Sequence, residues 1–355
     1  MPLLQLPPET LAQIFDYVGS SFFHEDLSRL TVCKQWLEFA LPACLKCITL
    51  SQETLRSLIT SETIKRPSPL KHSLESLDLE LRGYDHSYHT TFNTQQNAPK
   101  SNILDAAASD ASFKDTPVRT WIDVLNDDLA QLAVIAQQSR RLRTLRIQAR
   151  SSPSPEDAIN NSNDYLSLPT IRGLLSVENL SVLVLDLPID FLNSSEAQER
   201  GLHICPAIGA LLRTLQTLHI RMRSICPDVL KPHDLDNIPH LSVVIVNLSL
   251  ITNEPGTTSA AHSKRCGSPA GPLQLIMDIQ EQAQALAAQM ASPRIVRVLT
   301  HSLPQFETRS SDVLTGKTMV LDDGMAWDED GKTVTDDSEP ESELPDDWFD
   351  NFLND

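Results

Sequence analysis

The sequence predicts an α+β to α/β protein: three short N-terminal helices, an irregular solenoid of helix–strand units on a parallel sheet, and a disordered acidic tail. Three observations carry this. Apolar residues in the first fifty positions recur at helical spacing, a leucine pattern further on alternates with polar residues, and negative charge collects at the C-terminal end. The expected domain limits are 1–50, 51–306 and 307–355.

Pro7 and Pro8 open the first helix, because the amide that proline lacks would be unpaired in the first turn anyway. Leu11, Ile14, Phe15 and Val18 follow at helical spacing, and Glu9 lies beside the positive end of the helix dipole. Gly19-Ser20-Ser21 is expected to break this helix. Asp26 is placed to cap a second, short helix carrying Leu27 and Leu30. A third carries Cys33, Trp36, Leu37 and Ala40 on one side and is expected to stop at Pro42. Three such helices cannot bury all these side chains among themselves, so part of their apolar surface must meet another surface.

The pattern Leu-x-x-Leu-x-Leu then recurs. Its copies are Leu45/Ile48/Leu50, Leu74/Leu77/Leu79, Leu142/Leu145/Ile147, Leu180/Leu183/Leu185, Leu215/Leu218/Ile220 and Leu241/Val244/Val246. In four of the six copies the last two apolar positions flank a polar residue, with Val184 and Ile245 standing there in the other two, which suits a short strand with one buried face. Helical stretches at 121–138, 169–177 and 204–212 precede several copies. Helix then strand, repeated, reads as a leucine-rich-repeat-like solenoid with a parallel sheet. The copies lack the Asn or Cys that usually follows the strand, and their spacing is irregular, so a generic α/β domain is the alternative. Polar strand positions, such as Asp78, Glu80, Arg146, Gln148, Asp186, His219 and Arg221, would line the concave face.

Residues 83–116 are rich in Ser, Thr, Asn, Gln and Asp and predict a disordered insertion. Segments 151–163 and 252–271 predict surface loops. Residues 273–290, rich in Ala and Gln, predict a helix, 295–299 a closing strand, and 318–321 a small edge strand before an Asp322-Asp323-Gly324 turn. In the tail, Trp348, Phe349 and Phe352 lie on one face of a short helical pattern among acidic residues, which suits folding against a partner groove or docking back on the chain's own domain. Ser338 and Ser342 are each followed by acidic residues, a local charge that would suit an acid-directed kinase.

The N-terminal residues resemble an F-box. Leu6-Pro7-x-Glu9, Ile14-Phe15, Leu27-x-x-Leu30 and Val32-Cys33-Lys34-x-Trp36 stand in the family's order and spacing, over about forty-five of the 355 residues. The resemblance implies docking onto a Skp-type adaptor, and through it a cullin, in a ubiquitin ligase that holds a protein substrate on the following domain. Carried over by position, Leu6, Pro7, Ile14, Phe15 and Leu27 would face the adaptor, while Leu30, Cys33 and Trp36 would pack the module itself. Two competing readings remain: a module that uses the adaptor without a cullin, and an N-terminal cap whose Leu6, Ile14 and Phe15 bury within the chain.

Composition narrows the alternatives. The formal charge is −18; residues 322–355 hold fourteen acidic side chains against Lys332, a net of −13, which leaves −5 for the rest. This argues against nucleic-acid binding, which needs a basic footprint. No run of eighteen apolar residues or signal-peptide pattern is present, so no membrane association is expected and the cytoplasm or nucleus is. Six dispersed cysteines suggest reduced thiols. Cys44-x-x-Cys47 has ligand spacing but no second pair, and reads as structural thiols. No phosphate-binding loop, nucleophile elbow or calcium loop is found. The expectation is a non-enzyme with no catalytic residues, metal or cofactor.

Overall fold

A computed structural model describes residues 5–61, 69–84, 111–150, 164–192, 203–232, 240–251, 262–268, 271–302 and 307–334. In chain order the first elements are α1 (Pro8–Glu25), a 3₁₀ turn (Leu27–Leu30), α2 (Lys34–Cys44), β1 (Cys47–Ser51), α3 (Gln52–Thr60), α4 (Pro69–Ser73) and β2 (Ser76–Arg82). Then come α5 (Ala111–Gln138), β3 (Thr144–Arg150), β4 (Leu166–Ser167), α6 (Leu168–Leu175), β5 (Val182–Leu187) and β6 (Phe191–Leu192). They continue with α7 (Cys205–Leu211), β7 (Thr217–Met222), β8 (Ser224–Ile225), a second 3₁₀ turn (Pro227–Leu230), β9 (Val243–Asn247) and β10 (Lys264–Arg265). The last are α8 (Pro272–Gln289), β11 (Ile295–Ser302), β12 (Glu307–Asp312), β13 (Thr318–Leu321) and β14 (Lys332–Thr333).

All six leucine-pattern copies become strands; alternation is the reason in β2, β3, β5 and β7, whereas β9 is buried at four consecutive positions. In β2, Leu77, Leu79 and Leu81 are buried while Asp78, Glu80 and Arg82 are not; β3, β5 and β7 repeat this. Each buried row packs on helices. Leu125, Leu129, Leu132 and Ile135 of α5, Ile171 and Leu174 of α6, Ile208 of α7, and Leu275 and Ile279 of α8 join the same core.

These strands belong to one ten-stranded mixed sheet in the order β1-β2-β3-β5-β7-β9-β11-β12-β13-β14. The seven from β1 to β11 pair in parallel, and β11 to β14 pair antiparallel. Eight α-helices are dispersed along the described residues. This α+β arrangement overturns the expected three-helix F-box followed by a curved leucine-rich-repeat solenoid, and the ligase-receptor architecture built from those two parts. A solenoid needs repeats of near-constant length, each adding the same rotation, whereas the connections here are unequal and the chain reverses at its last strands. Left-handed glycines mark the reversals: Gly316 (φ 70°) follows β12 and Gly324 (φ 83°) follows β13.

The N-terminal expectation fails in a specific way. Gly19 (φ 80°, ψ 169°) leaves helical geometry and breaks α1 into two helical segments, as expected, but the predicted second helix is a single 3₁₀ turn. Asp26 does cap that turn, its carboxylate accepting from Ser28 N at 2.9 Å. Pro42 lies inside α2, which runs on to Cys44. An α1 broken at Gly19, a 3₁₀ turn and α2 therefore stand where three helices were expected.

Further corrections concern loops and edges. Most of the predicted insertion, 85–110, and the segment 151–163 lie outside the described residues, but 111–116 are helical. The predicted loop at 252–271 contains β10, which pairs parallel with β8. The strand at 318–321 is not the edge: β12 flanks it on one side and β14 on the other. The acidic tail from 335 onward, with Trp348, Phe349, Phe352, Ser338 and Ser342, lies outside the described residues.

Candidate functional site: the N-terminal docking surface

The N-terminal helices carry their own small core. Phe15, Phe23, Ala40, Ala43 and Cys44 are buried together, with Leu30, Trp36 and Phe39 packed around them. The Trp36 ring stands edge-on to Phe15 at 4.6 Å, and its indole N–H donates to the Arg29 carbonyl at 2.6 Å. His24 bonds the Cys44 carbonyl at 3.0 Å. Lys46 pairs with Asp16 at 2.9 Å and tethers the module to the start of the sheet.

Against this geometry the candidate residues divide. Leu6 and Ile14 are half-buried, Pro7 is exposed, and Leu27 is 62% exposed. Phe15, expected to face a partner, is 2% exposed and belongs to the module's own core. Helical phase explains this: Leu11 and Phe15, four residues apart, share the inward stripe, and Ile14 sits at its border. Leu30 and Trp36 pack the module as expected. Cys33 does not: it is exposed and caps α2, its sulfur accepting from Trp36 N at 3.4 Å.

The surface left over is apolar. Among the described residues, ten large hydrophobic side chains stand exposed, and six of them lie between Tyr17 and Leu37: Tyr17, Val18, Phe22, Leu27, Val32 and Leu37. Tyr17 is 94% exposed and Val32 64%. Single exposed hydrophobics are ordinary; here six of the ten fall within one small module.

The second candidate surface, the polar side of the sheet, is paired within itself only in part: Asp78 Oδ1 and His219 Nε2 are buried without a hydrogen-bond partner. Arg221 grips Asp186 with two bonds of 2.5 and 2.8 Å and reaches the Ile251 carbonyl at 3.2 Å. Arg146 lies 3.7 Å from Asp78, and burial, outweighing Arg146, raises the Asp78 carboxyl above its ordinary value. The chain itself covers part of this side. Trp327 stacks over the Arg221 guanidinium at 5.2 Å and approaches His219, and it packs on Ile245, Leu299 and Leu321. The depression bordered by Glu80, Arg82, Gln148 and Arg150 holds about 60 Å³, far below the roughly 300–1,000 Å³ of small-molecule sites.

One cluster escaped the sequence. His203, Cys205, Cys226 and Cys266 place one ligand atom each within 4.8 Å of one another. His203-x-Cys205 was a weak local signal, but Cys226 and Cys266 lie 23 and 61 residues beyond those two residues respectively, and Cys266 fell in a segment read as a loop. Cys44 and Cys47, the pair with ligand spacing, diverge instead: Cys44 is buried and Cys47 exposed.

No family model matches this chain, and no curated protein matches it either. Among the described residues no helix is long and apolar enough to cross a membrane.

Proposed function

We propose that this chain is a non-catalytic substrate-receptor subunit of a Skp–cullin ubiquitin ligase, docking a Skp-type adaptor through its N-terminal helical module. The observation that carries this reading is the concentration of exposed apolar side chains between Tyr17 and Leu37, within the sequence that resembles an adaptor-binding motif. The reading rests on those residues and takes nothing from a repeat architecture. The resemblance supplies the docking residues Leu6, Pro7, Ile14 and Leu27, of which Leu27 lies in the exposed stretch; Phe15 holds the module together instead.

The mechanism is positioning. One end holds the adaptor and the cullin behind it, the other holds a protein substrate, and ubiquitin transfer becomes effectively intramolecular. The substrate end is assigned to the β1–β3 part of the polar sheet side, away from Trp327, where the depression of about 60 Å³ is too small for a small-molecule site. The complex would work in the cytoplasm or nucleus, without nucleic acid, membrane or cofactor.

The test is co-purification of the full chain and of Leu6→Ala with Pro7→Ala, scored for the adaptor and a cullin. The expected result is loss of both partners with unchanged circular dichroism. Adaptor without cullin in the wild type would favour a non-ligase complex. Adaptor binding that survives the substitutions would remove the docking assignment.

A further inference from the structure

We propose that His203, Cys205, Cys226 and Cys266 form a structural zinc site that clips three separate segments of the domain together. The donor set is chemically specific: three thiols and one imidazole match the Cys₃His class of closed tetrahedral zinc sites. No thiol is paired in a disulfide. An ion about 2.3 Å from each sulfur requires sulfurs about 3.8 Å apart in a tetrahedron. The Cys205 and Cys266 sulfurs are 3.8 Å apart, and the Cys226 sulfur is 3.8 Å from His203 Nδ1.

The backbone explains why four distant residues converge. Strands β8 and β10 run parallel with Ile225 opposite Arg265, and Cys266 N donates to the Ile225 carbonyl at 3.3 Å. Cys226 and Cys266 are the next residues of the two strands, so they leave the pair side by side. A two-residue strand pair is too short to hold itself. Helix α7 supplies Cys205 at its first residue and His203 just before it. Gly209 lets α7 sit directly on the turn that follows Cys226, since a Cβ there would lie 2.6 Å from the Lys231 carbonyl oxygen and 2.7 Å from that of Asp228.

Burial fits a closed site better than a reactive one. Cys205 is fully buried, Cys226 nearly so, and Cys266 and His203 are half-buried. All four tetrahedral positions are filled by protein, leaving none for a water or substrate. Around the donors, Asp228 Oδ2 lies 3.6 Å from the Cys226 sulfur, and Lys231 Nζ bonds its other oxygen at 2.8 Å. Zinc binding would displace the protons of the three thiols to solvent and leave thiolates on the ion.

The probe is cobalt(II), added to the full chain after reduction and chelation, followed by zinc(II). Expected are saturation at one equivalent, visible bands of tetrahedral intensity, a near-ultraviolet thiolate charge-transfer band, and displacement by zinc. Cys226→Ser with Cys266→Ser should weaken binding by on the order of 100-fold or more, while Cys33→Ser, away from the cluster, should not change it. Cys266→His keeps four donors and should retain the visible bands with a weaker charge-transfer band, which guards against a misfolded double variant. Octahedral cobalt spectra with the wild-type chain, tetrahedral spectra that persist without Cys226 and Cys266, or a Cys205–Cys266 disulfide in peptide maps of the chain from cells would each overturn the site.

Discussion

Phe15 and Leu27 stand in the same resemblance-derived docking set, yet the structure gives them opposite roles, and this separates folding from docking. Phe15 is 2% exposed between Phe23, Trp36 and Phe39. Truncation to alanine leaves a cavity in a core of only five buried side chains, and such changes cost about 3–5 kcal/mol. The α1 and α2 amides should then exchange faster by on the order of 10²-fold, while β2, β3 and β5, which belong to the other core, should not change. Leu27 is 62% exposed, so Leu27→Ala should shift stability by less than about 0.5 kcal/mol. If Leu27 anchors the adaptor, its loss costs about 2 kcal/mol of binding, roughly 30-fold in Kd. Hydrogen exchange with mass spectrometry reads the first effect and calorimetric titration with a Skp-type adaptor the second. A Leu27→Ala chain that binds the adaptor as well as wild type, or a Phe15→Ala chain with unchanged exchange in α1 and α2, would refute the reasoning.

Three further outcomes follow from packing and charge. Gly209→Ala must push α7 off the turn at Asp228–Lys231, costing about 1–3 kcal/mol in denaturant unfolding and weakening cobalt uptake by separating Cys205 from Cys226. Arg297 is 4% exposed and bonds Asp330, the Glu329 carbonyl at 2.7 Å and, less closely, Asp312; Arg297→Leu should cost about 3 kcal/mol, read as increased exchange in β11 and β12. Burial lowers the pKa of His219, His262 and His301 below 6.5, with His262 adding to the effect on His301. The unfolded chain therefore binds more protons than the folded one below about pH 6.5, and stability should fall as pH drops from 7 towards 5.5. Asp78 and Asp164, whose pKa values burial raises, act in the opposite sense but lower, in the carboxylate range. His262 and His301 stack at 3.7 Å, so His301→Gln should flatten the loss measured by urea unfolding at the two pH values.

The sequence by itself determined where most strands of this protein lie and which way their side chains point. Leu77, Leu145, Leu183 and Leu218 are buried because a strand repeats every two residues, and that period is visible in any short window. The burial of Leu11 and Phe15 together was equally local, a matter of helical phase, though the family resemblance placed Phe15 on the outside. Only the tertiary structure decided the rest. The antiparallel close of the sheet, with Glu307–Asp312 as a strand, had no apolar alternation to announce it, since its residues are Glu, Thr, Arg, Ser, Ser and Asp; it forms because β11 offers a free edge to pair. Trp327 reaches Arg221, and Cys266 reaches Cys205, across separations that no local pattern spans. Those meetings depend on how helices and strands pack over the whole core. A periodicity records the environment of each residue, not which distant residue shares it.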